Sequence, residues 1–174
     1  PIEYKDLAYD TLKDFTGISM LATSPLVLAV HPSLPVKSVQ EFIALAKSKP
    51  GELHFSSTGA ASSTTLAVRS FRAATGTDYT EVDYKGSGPG TLATVSGEVE
   101  FSFVSISAAV PFIKSGKLRA LAVSSAKRLT GMPDLPTIAE SGVPGYEESA
   151  WYGLLVPAAT PQAAITRLNQ ETAH

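Results

Sequence analysis

The 174-residue sequence has no cysteine, a single tryptophan, three histidines and no charge excess worth the name. Without cysteine there is no disulfide framework and no thiolate zinc site, so stability must come from apolar burial and hydrogen bonding. His31, His54 and His174 stand at no metal-ligand spacing, and no metal or cofactor is expected. Fourteen basic residues against sixteen acidic ones, spread without runs, leave no polybasic patch for nucleic acid or an anionic membrane. No apolar run reaches the roughly 18 to 20 residues that span a bilayer. The chain opens at Pro1 without a charged and apolar leader, so a secretory signal is expected to be absent from it.

What is present is a regular alternation of short apolar runs and amphipathic stretches. Residues 1–14, with Tyr4 and Tyr9, keep no period and read as a lead-in. Residues 15–22 and 26–30 are β-prone and are expected as two strand segments with a bend at Thr23-Ser24-Pro25. Ser38 with Glu41 three residues on is a capping box, opening a helix whose apolar face is Val39, Phe42, Ile43, Leu45 and Ala46 and which Pro50-Gly51 ends. Strands are then expected at 53–56, 79–84, 99–104 and 118–123. Between them lie a helix carrying Leu66, Val68, Phe71 and Ala74 inward to Gly76, a short one to about Ser96, and one from 108 to 114. Beyond residue 125 the chain is loop-like, with a brief helix at 137–141, an extended segment at 146–157 and a last helix with Ala164, Ile165 and Leu168 on one face. Strand and helix alternating with short links define an α/β fold with a mostly parallel open sheet and flanking helices.

Open sheets of this kind bind ligands at the carboxyl ends of their strands. Three turns rich in Ser and Gly, at 57–64, 85–89 and 105–107, follow strands and meet such a rim. In the first, Gly59 opens the turn, small residues let the main chain approach, and hydroxyls precede a helix whose free N–H groups and dipole attract an anion. The same hydroxyls also serve as N-caps, so the turn alone carries both readings. The candidate binding residues are Ser57, Thr58, Gly59, Ala60, Ser62 and Ser63, then Lys85, Gly86 and Ser87, then Ser105 and Ser107. Lys85 is the one cation beside a turn. Trp151 reads as core packing or as a ring walling a cleft. Nothing points to catalysis. No nucleophile elbow is present, Gly86-Ser87-Gly88 lacks the rest of a dinucleotide fingerprint, and strand alternation sends His54 and Ser57 to opposite faces.

Ordered blocks along the chain carry a resemblance. They include Leu21-Ala22-Thr23-Ser24-Pro25, Ser33-Leu34-Pro35-Val36-Lys37-Ser38, Tyr84-Lys85-Gly86, Leu118-Arg119-Ala120-Leu121-Ala122-Val123, Pro133-Asp134-Leu135-Pro136-Thr137 and Trp151-Tyr152-Gly153-Leu154-Leu155-Val156-Pro157. With them the chain resembles the Bug family of periplasmic solute-binding proteins, the TctC-like receptors of tripartite tricarboxylate transporters. The resemblance implies a two-lobed, type II periplasmic-binding-protein-like receptor. It would close on a small organic di- or tricarboxylate through main-chain N–H groups, hydroxyls and bound water, without chemistry, and hand it to the transporter's membrane permease subunits. By the same resemblance, residues 1–30 are a lead-in and first crossing strands and 31–125 the ligand-binding second lobe. Residues 126–174 are a return crossing and the start of a helix of a first lobe that this chain lacks. The family's loop usually reads Gly-x-Gly-Thr/Ser with a His in the first helical turn, where Gly59, Ala61, Ser62 and Thr65 stand here; Val104 stands where an Asp is common. A ligand-sensing effector domain of a regulator is the alternative expectation, since similar two-lobed folds serve there.

Overall fold

A computed structural model describes residues 6–172. Tyr4 of the lead-in and His174 at the end lie outside the described residues. The elements follow the order β1 (Phe15–Val30), α1 (Val39–Ser48), β2 (His54–Ser57), α2 (Ser63–Thr75), β3 (Thr80–Asp83), α3 (Ser87–Ser96), β4 (Phe101–Ser105), α4 (Ile106–Lys114), β5 (Arg119–Val123), β6 (Ser149–Pro157) and α5 (Gln162–Thr172).

The two expected strand segments before residue 31 are one strand. Pro25 interrupts neither half of β1, and just beyond it the Leu26 N–H finds the Ser124 hydroxyl at 2.8 Å in place of a ladder bond. The chain nevertheless divides at that proline into two compact units, residues 25–150 and residues 1–24 with 151–174.

The larger unit holds the sheet β3-β2-β4-β1-β5. β2 pairs in parallel with β3 and β4, and the second half of β1 lies antiparallel between β4 and β5. Four strands therefore run one way and β1 against them, an open, mostly parallel α/β sheet. Alternation along β1 makes a core on each face. Leu26, Leu28 and Val30 join Phe42, Phe55, Phe71, Phe101 and Phe103 under α1 and α2, while Val27 and Ala29 join Val104, Ala109 and Val123 under α4. The unit reaches past both ends of 31–125, because Ile138, Val143 and Tyr146 pack into the first of these cores.

Local signals explain the helix ends. Ser38 Oγ accepts the Glu41 N–H at 3.2 Å, and the Glu41 carboxylate reaches back to the Lys37 N–H at 2.6 Å. Gly76 and Gly97 close α2 and α3 in the left-handed region.

Three expectations give way. Leu66 and Ala74 are exposed, Leu66 by 42%, since α2 buries Thr64, Thr65, Ala67, Val68 and Phe71 instead. Residues 87–89 belong to α3, whose first turn has no need of the N–H that Pro89 lacks. Residues 137–141 form turns and not a helix. There Thr137 and Glu140 cap one another reciprocally, at 3.0 and 2.9 Å, but Thr137 is held to Val123 and Gly142 and Pro144 follow at once.

Tyr79 shows what an unmet hydroxyl does. Its ring packs on Phe101 and Phe42, and its Oη is buried without a hydrogen-bond partner among the described residues. Burial pushes the phenol up to about 12, and the nearby charge of Arg72 offsets only a small part of this. The unfolded chain gives up this proton near its ordinary 10 while the native state keeps it, so stability is full below pH 10 and falls as pH rises toward 12. Tyr79→Phe is expected to remove that alkaline loss and to raise stability at pH 7 by about 1 kcal/mol, read by urea unfolding at both pH values.

In the smaller unit, β6 pairs with the first half of β1, Asn169 Nδ2 donates to Ile18 O at 2.7 Å, and the Ala158 N–H donates to Asp14 O at 2.8 Å. Ile18 is buried, but Met20, Leu21, Tyr152 and Leu155 are exposed, and α5 buries no residue. Trp151 is 67% exposed, its ring lying over Gly153, and is not a core residue.

Candidate functional site: a rim of three helix starts

Because β3, β2 and β4 are neighbours running in parallel, their last residues, Asp83, Ser57 and Ser105, lie along one rim of the sheet. Each strand passes within a few residues into a helix, so the starts of α3, α2 and α4 gather there. The structure thus brings the three sequence-expected turns together on one edge. The first-turn amides of a helix have no intrahelical acceptor, and the dipole makes that end positive.

The starts differ in how they are capped. In α2 the N-cap Ser62 accepts the Thr65 N–H at 3.2 Å on its hydroxyl and the Leu66 N–H at 2.9 Å on its carbonyl. Those of Ser63 and Thr64 have no acceptor among the described residues. α3 starts at Gly86 with φ +99°, a conformation that favours glycine, and α4 at Ser105; neither has a side-chain cap. Ser105 and Ser107 face each other at 3.5 Å between hydroxyls.

The turn 57–62 is closed by its own hydroxyls. Thr58 Oγ1 donates to Ser62 Oγ at 2.9 Å and lies 2.9 Å from Thr64 Oγ1; Ser62 Oγ donates to Thr65 Oγ1 at 2.9 Å; Thr65 Oγ1 donates to Ser57 Oγ at 3.2 Å. Ser57 also accepts the Gly59 N–H at 3.3 Å and is fully buried. Gly59 itself has φ +110° with open space around it, so its conformation and not its size matters. Ala60, Ser62, Ser63 and Thr58 are open or half-buried, as are Lys85, Gly86, Ser87, Ser105 and Ser107. Beside the rim, Tyr84 donates to Glu98 at 2.8 Å, and desolvation followed by that carboxylate pushes its phenol up. Val104 is buried in the core under α4.

Two residues outside the sequence-expected binding set matter here. Thr65, at the third helical position, is the fully buried centre of the hydroxyl network; its spacing of three from Ser62 was the available signal. Gly90 is the other. A methyl group added there would lie 3.2 Å from Ser56 Cβ and Oγ and 3.4 Å from Thr58 Cγ2, tighter than ordinary contact, so glycine lets α3 pack this closely on β2 and the turn without a neighbour having to shift. Glycines inside a helix mark such close approaches.

An open α/β sheet with helix starts gathered on one rim is the architecture of the type II periplasmic-binding-protein-like fold, and solved proteins of that class match it. R. palustris Rpa4515 with adipate has a TM-score of 0.89 and 38% identity, covering 98% of this chain and 57% of that one. MatC (Rpa3494) from Rhodopseudomonas palustris with bound malate has a TM-score of 0.87 and 31% identity, covering 98% and 58%. Residues 1–174 match the model of TctC, the tripartite tricarboxylate transporter family receptor, and the chain belongs to that family. Protein BugT of Bordetella pertussis is 35% identical over 164 residues, 94% of this chain and 50% of its own length. The chain spans about half the length of the curated relatives it matches.

Proposed function

We propose that this chain is the second lobe, with crossing segments, of a periplasmic receptor for a small organic dicarboxylate or related acid. The receptor acts by lobe closure without catalysis and serves a tripartite tricarboxylate transporter. The observation that carries the reading is the set of three adjacent helix starts on one rim, whose spare N–H groups suit an anion without a fixed positive charge. The loop residues 58–63, with Gly86, Ser87, Ser105 and Ser107, supply these contacts, and Lys85 adds charge at the edge. Adipate and malate in the related proteins support a dicarboxylate as the class. The uncovered apolar residues of the smaller unit, Met20, Leu21, Tyr152 and Leu155, belong against the remainder of the first lobe, carried by further chain. The receptor then delivers its ligand to membrane permease subunits.

Two or three charge-assisted hydrogen bonds at about 1.5 to 3 kcal/mol each, with cleft burial, reach the roughly 8 kcal/mol of micromolar binding. Calorimetric titration of the full-length protein with succinate, adipate, malate and citrate is expected to give a micromolar dissociation constant for at least one, with the acid recovered unchanged. Absence of heat and of thermal stabilisation with all four, or consumption of the acid, would sink the proposal.

A further inference from the structure

Resting on that reading, we infer that Thr65 is a positioning residue of the anion site, holding the turn 57–62 in its binding shape through its hydroxyl. Thr65 is fully buried and sits outside the turn, at the third position of α2. Its hydroxyl accepts the Thr58 N–H at 3.2 Å, accepts the Ser62 hydroxyl at 2.9 Å and donates to the Ser57 hydroxyl at 3.2 Å. A threonine hydroxyl has one proton and two lone pairs, so all three capacities are used and none is left for a ligand. The three partners are Ser57, where β2 ends and the turn begins, Thr58, the next residue of the turn, and Ser62, the N-cap of α2. One buried oxygen therefore ties together both ends of the turn and the helix that follows. Within the turn the main chain adds a single bond, Ser62 N–H to Gly59 O at 3.0 Å, so the rest of its shape depends on the hydroxyls. The spare amides of Ser63 and Thr64 point where this lattice puts them. A turn already held in the bound shape spends less of the binding free energy on ordering, and a turn that is in that shape only part of the time binds more weakly in the same proportion.

The hydroxyl and the methyl group of Thr65 are separable. Thr65→Val keeps the shape and removes the oxygen; Thr65→Ser keeps the oxygen and opens a small void. In the full-length protein, well below the unfolding temperature of each variant, adipate and malate titrations are expected to show Thr65→Val weakened about tenfold and Thr65→Ser within about threefold of wild type. A residue that only fills space gives the reverse order, and that order, or equal losses in both variants, overturns the inference. Amide exchange of the wild type decides independently of whether the Val variant folds. The Thr58 amide is expected to exchange as slowly as those of β2 in the unliganded protein, and exchange at the rate of an open loop contradicts the latch. If the wild type binds neither acid, the carboxylate reading fails. If it binds and Thr65→Val binds equally well, only the role of Thr65 falls.

Discussion

Replacing Phe101 by alanine is expected to lower the unfolding free energy by about 3 to 5 kcal/mol, a large part of the total for a chain of this size. Phe101 is completely buried at the first position of β4. In register it faces Phe55 of β2 on one side and Val30 of β1 on the other, so it joins the parallel and antiparallel halves of the sheet. Its ring centroid lies 4.7 Å from that of Tyr79, 4.9 Å from Phe42 and 5.8 Å from Phe55, and two of these contacts are edge-on. Four aromatic rings from four segments cannot close the space one of them vacates without moving the backbone of two strands. Urea unfolding of the variant beside wild type measures the loss; a change under about 1 kcal/mol would mean the cluster collapses freely.

Gly90→Val should show the second large effect, and it reaches the site. The added side chain enters the 3.2 Å gap to Ser56 and presses on Thr58, which is tied into the hydroxyl network of the turn. Ser56 is a buried strand residue with little room to give, so a branched side chain at 90 is expected to lift α3 from β2 or displace Thr58. Overpacking of this kind costs about 1 to 3 kcal/mol. Affinity for the same acids should drop about tenfold as the turn loses its shape. The neighbouring Gly88 is a control within the same helix. A methyl group there meets nothing within 4 Å, so Gly88→Ala should leave stability unchanged or raise it by up to about 1 kcal/mol. Equal unfolding midpoints for Gly90→Val and wild type would contradict the close packing of α3.

Much of this fold could be read from the chain because its punctuation is local. Short apolar runs bounded by Gly and Pro located β2 through β5 to within a residue or two, and the Ser38–Glu41 pair located α1. What escaped depends on neighbours distant in sequence. The reversed direction of β1 comes from its pairing with β4 and β5, 71 to 96 residues on by the register, and no composition signals it. The inward face of α2 was misjudged because Leu66 outranks Thr64 and Thr65 in hydropathy. Those threonines are buried all the same, because the turn gives their hydroxyls partners. The capping pair at Thr137 and Glu140 is as good as the one at Ser38, yet no helix grows from it within the five residues before Gly142. At the site, the three Ser- and Gly-rich turns and their shared rim were legible from strand order. Which hydroxyls face outward and which are consumed, as in Ser57 and Thr65, was not, because that follows from how β2 sits between β3 and β4.

The central claim is that an organic acid meets this chain at the rim of helix starts. Backbone amide shifts of the isotope-labelled full-length protein, followed during titration with adipate, test it residue by residue. The largest changes are expected at Ser63 and Thr64, with Ser87, Ile106 and Ser107 next. The opposite end of the sheet offers a contrasting surface, an apolar groove of about 610 Å³ lined by Ile113, Leu118, Met132 and Leu135 among others. Saturable changes confined to that groove, with the amides of Ser63 and Thr64 unmoved, would contradict the claim.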